Sequence, residues 1–159
     1  MGLDAKIMIE VLYGANRGAP WDQHPHEGGF PAYKTQLLIA EVFQHHYVHG
    51  FMCAHDSSAH ECNSIELDKE ELLRLEVMLK SWVTDTEALK PCPKQFWGAF
   101  FGPRPDEEGF EEHRDNLRKK ATALAKQVRK GRKYIERMNK KYNYALDKPW
   151  YYAVYKASW

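Results

Sequence analysis

Apolar and polar residues alternate from residue 5 to residue 13. Ala5, Ile7, Ile9, Val11 and Tyr13 share one side, with Lys6, Met8, Glu10 and Leu12 on the other. A period of two predicts a half-buried strand. Breakers then dominate residues 14–32, where Gly14, Gly18, Pro20, Pro25, Gly28, Gly29 and Pro31 predict a long loop or insertion. Over residues 33–51, Ala40, Phe43, Tyr47 and Phe51 recur at three- and four-residue spacing, which predicts a helix. The run Leu37-Leu38-Ile39 also suits the start of a strand. Residues 52–64 are small and polar and predict an irregular connection.

The sharpest local signal follows. Asp68 and Glu71 have the spacing of a capping box, in which each side chain accepts from the other's backbone N–H. Leu67 and Leu72 stand where a hydrophobic staple would close over it, and Leu72, Leu75, Met78, Leu79 and Trp82 continue a buried stripe, predicting a helix over 69–83. Pro91 and Pro93 interrupt the chain, and 95–102 (QFWGAFFG) reads as a short buried strand. From 106 to 142 the apolar positions Leu117, Ala121, Leu124, Val128, Ile135, Met138 and Tyr142 keep helical spacing, giving one long helix or two broken at Gly131. After Pro149 the aromatic, β-branched sequence WYYAVYKASW predicts a closing strand. The fold class expected is α+β, a small, mostly antiparallel sheet with packed helices, including a long basic helix near the carboxyl end.

Length and composition narrow the class. A chain of 159 residues is expected to form a single domain over 1–159, and 43% hydrophobic with 28% charged residues is an ordinary globular balance. No apolar run reaches membrane-spanning length, and the first ten residues lack the basic-then-apolar order of a signal peptide. Three cysteines, an odd number, fit a reducing compartment. A soluble intracellular protein with no membrane partner is the expectation.

The net charge of +1 hides a strong asymmetry. Residues 118–141 hold eleven Lys and Arg and one Glu, a local net of +10. Arg118, Lys119, Lys126, Arg129, Lys130, Arg132, Lys133 and Arg137 offer a row of cations suited to nucleic acid or another anionic partner. The same helix opens with Asp106, Glu107, Glu108, Glu111, Glu112 and Asp115, and acid-first, base-last order is also what the helix macrodipole favours.

Seven of the eight histidines lie between residues 24 and 60, which raises three sites. On a helix, Glu41, His45 and His49 share one face and would suit zinc or another divalent ion. Cys53, His55, His60 and Cys62 supply two thiolates and two imidazoles, although single-residue gaps are tighter than structural zinc sites usually show. Cys62 with His49 or His60 as base would be a nucleophilic pair. Each has a plainer alternative as exposed histidines and an unreactive thiol, and no phosphate loop, serine elbow or metalloprotease motif accompanies them. No cofactor is expected.

Met1-Gly2-Leu3-Asp4, Val48-His49-x-Phe51, Cys62 shortly before the capped helix, Phe100-Phe101-Gly102 and Tyr155-x-Ala157-Ser158-Trp159 occur in an order and spacing that span nearly the whole chain. In this the sequence resembles an uncharacterised family of small bacteriophage and prophage proteins. It departs from that family at Ala5-Lys6, in the 14–32 insertion and in the basicity of its last helix. The resemblance implies an accessory protein acting in the host cytoplasm, implies no reaction, and draws attention to His49, Cys62, Ser158 and Trp159. The leading expectation is a non-enzymatic protein that binds a host or defence component through Trp21, Arg129, Lys130, Lys133 and Trp159. A small nucleotide- or metal-dependent enzyme centred on His49 and Cys62, and a nucleic-acid binder using 118–141, are the rivals.

Overall fold

The computed structural model describes residues 4–12, 26–27, 30–31, 34–42, 45–61, 63–84, 103, 106–142 and 149–158. Strand β1 (Asp4–Leu12) is followed by two short strands, β2 (His26–Glu27) and β3 (Phe30–Pro31), and by β4 (Lys34–Glu41). Helix α1 (His46–His55), a 3₁₀ turn (Ser57–Glu61) and strand β5 (Ile65–Leu67) lead to α2 (Lys69–Thr84). Helix α3 (Phe110–Lys141) and strand β6 (Trp150–Ser158) complete the order. The main sheet has four antiparallel strands ordered β4-β1-β6-β5, and the fold is α+β as the patterning predicts.

β1 is central because its inward side chains are all apolar. Ala5, Ile7, Ile9 and Val11 are buried, and nine residues of β6 pair against it in register from Asp4↔Ser158 to Leu12↔Trp150. On its other side β1 pairs with β4, with a bulge opposite Ile7/Met8 where Ala40 faces Ile7 and Leu38 faces Met8. The extra residue is Ile39, and this lets both Ile39 and Ala40 pack with the core.

The helices cover that inner face. Val48 and Met52 of α1, Leu72, Leu75 and Leu79 of α2, and Leu117, Ala121, Leu124, Ala125 and Val128 of α3 join one core with Ile7, Ala153 and Tyr155. The predicted capping box forms: Asp68 N–H donates to Glu71 Oε2 at 2.7 Å and Glu71 N–H to Asp68 Oδ1 at 2.8 Å. α3 runs unbroken through Gly131, which serves as a point of close approach. A Cβ added there would meet Ile39 Cδ1 at 2.7 Å, so the absent side chain lets the helix sit directly on the bulge of β4. Near its end, Asn139 is buried and substitutes for a strand. β5 pairs only as far as Ala153, and beyond it Asn139 donates Nδ2–H to the Tyr151 carbonyl at 2.8 Å and accepts its N–H at 2.9 Å.

Three expectations need correcting. The helix over 33–51 is in fact strand β4 followed by α1, because residues 34–41 complete the hydrogen-bond ladder of β1 and pairing overrides local periodicity. The connection over 52–64 is regular for much of its length, since α1 runs to His55 and a 3₁₀ turn follows. Within the predicted 14–32 loop, His26 pairs with Pro31 and Glu27 with Phe30. The intervening Gly-Gly dipeptide is the sequence signal for such a hairpin. The strand expected over 95–102 lies outside the described residues.

Candidate functional site

The described histidines of α1 and its flanks occupy defined places in the fold. Glu41 ends strand β4 and is exposed, and His45 precedes α1 as its N-cap, so the helical face expected for Glu41, His45 and His49 does not form. His45 Nδ1 accepts from Val48 N–H at 3.4 Å, which requires that nitrogen to be unprotonated. His49 is fully buried in α1, its Nδ1 2.7 Å from the Tyr155 hydroxyl on β6, and so ties the helix to the sheet. Burial pushes the Cys53 thiol up to about 12, away from the thiolate that metal binding or nucleophilic attack needs. His55 Nε2 lies 2.9 Å from Glu71 Oε1, beside the capping box. Among the described residues no group of three or more His, Cys, Asp or Glu is placed to hold a metal. The His60 side chain, Cys62, Trp21 and Trp159 lie outside the described residues.

The basic helix gives a sharper result, because its two flanks differ. On the flank facing α2, the buried Glu76 carboxylate gathers cations: Lys80 Nζ at 2.5 Å, Arg132 Nη2 at 3.0 Å and Arg129 Nε at 3.9 Å. Burial alone would raise the Glu76 carboxyl. The hydrogen bonds from Lys80 and Arg132 and their charges outweigh it and hold the group below its ordinary range. Glu136 extends the network to Lys69 at 3.1 Å and Arg132 at 3.4 Å. Arg129, expected to bind a partner, therefore faces a carboxylate of its own chain.

On the opposite flank, α3 and β4 enclose a groove of about 740 Å³. Ile9, Leu37, Leu38 and Ile39 form its apolar side, and Gln127, Lys130, Gly131, Lys133, Tyr134 and Arg137 its helical side. No Asp or Glu is among these lining residues. The Arg137 guanidinium lies 5.4 Å from the centroid of the Tyr134 ring, which packs edge-on against Tyr151 at 5.9 Å. A shallower shelf continues past Lys133 and Arg137 to Lys140 and Lys141, with Glu136 also among its lining residues. Leu37 and Leu38 are 39% and 57% exposed, large for aliphatic side chains at adjacent strand positions.

The arrangement combines apolar contact area with positive charge. Of the cations expected to meet a partner, Lys130 and Lys133 line the groove and Arg129 does not. Sequence reasoning missed Leu37, Leu38 and Tyr134 as residues that line this groove. Their signal was available in part. Residues 127, 130, 134 and 137 form a three/four-spaced stripe beside the buried one, and Leu37-Leu38-Ile39 is too apolar for a strand with one wet face. Comparison with known protein families, curated proteins and solved structures finds no match.

Proposed function

We propose that this chain is a non-enzymatic binding protein that holds an anionic protein partner in the groove between β4 and α3. The phage-family resemblance supplies the setting, with a host or defence component as that partner. The supporting observation is the groove itself, with three cations over an aliphatic floor and no acidic residue among the described residues that line it. Cations facing an apolar surface have little water to lose to one another and retain charge for an incoming carboxylate. A protein partner is favoured over nucleic acid because, among the described lining residues, the one aromatic ring is Tyr134, which already carries Arg137 over its face. Single-stranded nucleic acid is usually held on several stacking platforms.

The test is capture from host extract with wild-type protein and with the Lys130→Glu/Lys133→Glu/Arg137→Glu variant. The expected result is a partner retained by the wild type, released by salt and lost on charge reversal. Retention of the same proteins by both would contradict the proposal. A nuclease-sensitive captured species would shift it to nucleic acid.

A further inference from the structure

β4 is the outer strand of the main sheet, and among the described residues no strand pairs with its outer edge. Its register places Leu37 opposite Ile9 and Leu38 opposite Met8, so the two leucines alternate faces at the strand's edge and both border the groove. An exposed edge carrying adjacent leucines is a template for one more strand, since its unpaired N–H and C=O groups supply affinity and the alternating side chains supply selectivity. Resting on the binding role proposed above, we infer that the groove's occupant is an extended acidic peptide segment that adds to β4 as a further antiparallel or parallel strand.

The charge pattern sets what that segment looks like. Its inward side chains face Lys130, Lys133 and Arg137, and its outward side chains extend the surface of Leu38. The three cations span about 10 Å along α3 at 1.5 Å per residue. Alternate residues of a strand advance about 7 Å. Two carboxylates separated by one residue therefore reach the cation row together, and the intervening residue points to the opposite face, beside Leu38. The recognised pattern is acid-x-acid with an apolar residue at x.

A second copy of this chain does not satisfy the pattern. Antiparallel pairing of two β4 edges about a twofold axis keeps both α3 helices on one face of the joined sheet and sets one cation row against the other. Like charges meeting across an interface oppose that assembly, whereas an acidic strand neutralises the row.

The experiment is fluorescence anisotropy on the full chain with a labelled eight-residue peptide alternating Glu and Leu. Controls are a peptide of the same composition with Glu and Leu in blocks, an oligothymidylate of equal charge, and two peptides N-methylated at alternate amides in opposite registers. The alternating peptide is expected to bind tightest. Reversal of Lys130, Lys133 and Arg137 is expected to weaken it by about tenfold or more. Methylation in the register that faces β4 is expected to weaken binding roughly tenfold, with the other register near wild type. Equal effects of the two registers, or equal binding of alternating and block peptides, would overturn strand addition and leave the groove's binding role standing on the extract experiment. Failure of every peptide, with a partner still lost from extract on charge reversal, would do the same. Tighter binding of the oligothymidylate would overturn both.

Discussion

The two flanks of α3 draw on one run of basic sequence and end in opposite states. Toward α2, Arg129 and Arg132 meet Glu76, which is 3% exposed and also holds Lys80, so charge is consumed in joining two helices. Toward β4, Lys130, Lys133 and Arg137 line an apolar groove with no carboxylate among its described lining residues. Residues 129 and 130 are adjacent in sequence and differ in surroundings, because a helix turns about 100° per residue. A local charge count therefore cannot tell a structural cation from one reserved for a partner. Only the neighbouring element can, and here the neighbours are a helix with a buried acid and a strand with exposed leucines.

The largest effect should come from removing the acid on the structural flank. Glu76→Ala leaves Arg132, 14% exposed, without its main counter-charge and should cost about 2–4 kcal/mol in denaturant unfolding. Next is the end of the same helix, where Asn139→Ala strips both hydrogen bonds from the Tyr151 backbone. The expected loss is about 2 kcal/mol, with fraying of β6 beyond the reach of β5 visible as faster amide exchange at Tyr151. At the groove, Gly131→Ala gains helix propensity but drives a Cβ into Ile39, for a net cost of about 1 kcal/mol in equilibrium unfolding.

Acidification separates the flanks without mutation. The Glu76 carboxyl is lowered in the folded state from an ordinary 4.5, so the unfolded chain binds that proton more readily. Its contribution is complete above that value and disappears as pH falls below it toward the folded-state pKa. Glu76→Gln should flatten this part of the stability–pH curve, measured by thermal unfolding between pH 3 and 6, roughly where the free carboxyl titrates. Smallest of all should be the stability change on reversing Lys130 or Lys133, about 0.5 kcal/mol or less each, because both are exposed and neither holds an ion pair with Glu76.

Much of the fold was legible where one local pattern met no competitor. β1 and β6 show in their composition, α2 in the Asp68–Glu71 box, and α3 in its unbroken stripe. β4 was obscured because its identity depends on pairing with residues 6–12, while Ala40 and Tyr47 happen to keep helical spacing across the strand–helix boundary. The candidate site was half legible. Lys130 and Lys133 stand out by charge, but the other wall comes from residues 37–39, and no local pattern joins segments so far apart in sequence. His49 shows the converse, since the same residue type that suggests chemistry in sequence is enclosed here and bonded to Tyr155.

The most direct test of the account compares Arg129→Ser with Lys130→Ser, two deletions of neighbouring cations that the helix turns about 100° apart. Affinity for the alternating Glu/Leu peptide would be measured by anisotropy at low and at physiological salt. The account predicts that Lys130→Ser weakens binding by about fivefold and reduces its salt dependence, as expected of a rim cation. Arg129→Ser should leave affinity within about twofold and act instead on stability. Equal losses of affinity from the two substitutions would contradict the division of α3 into a structural flank and a binding flank.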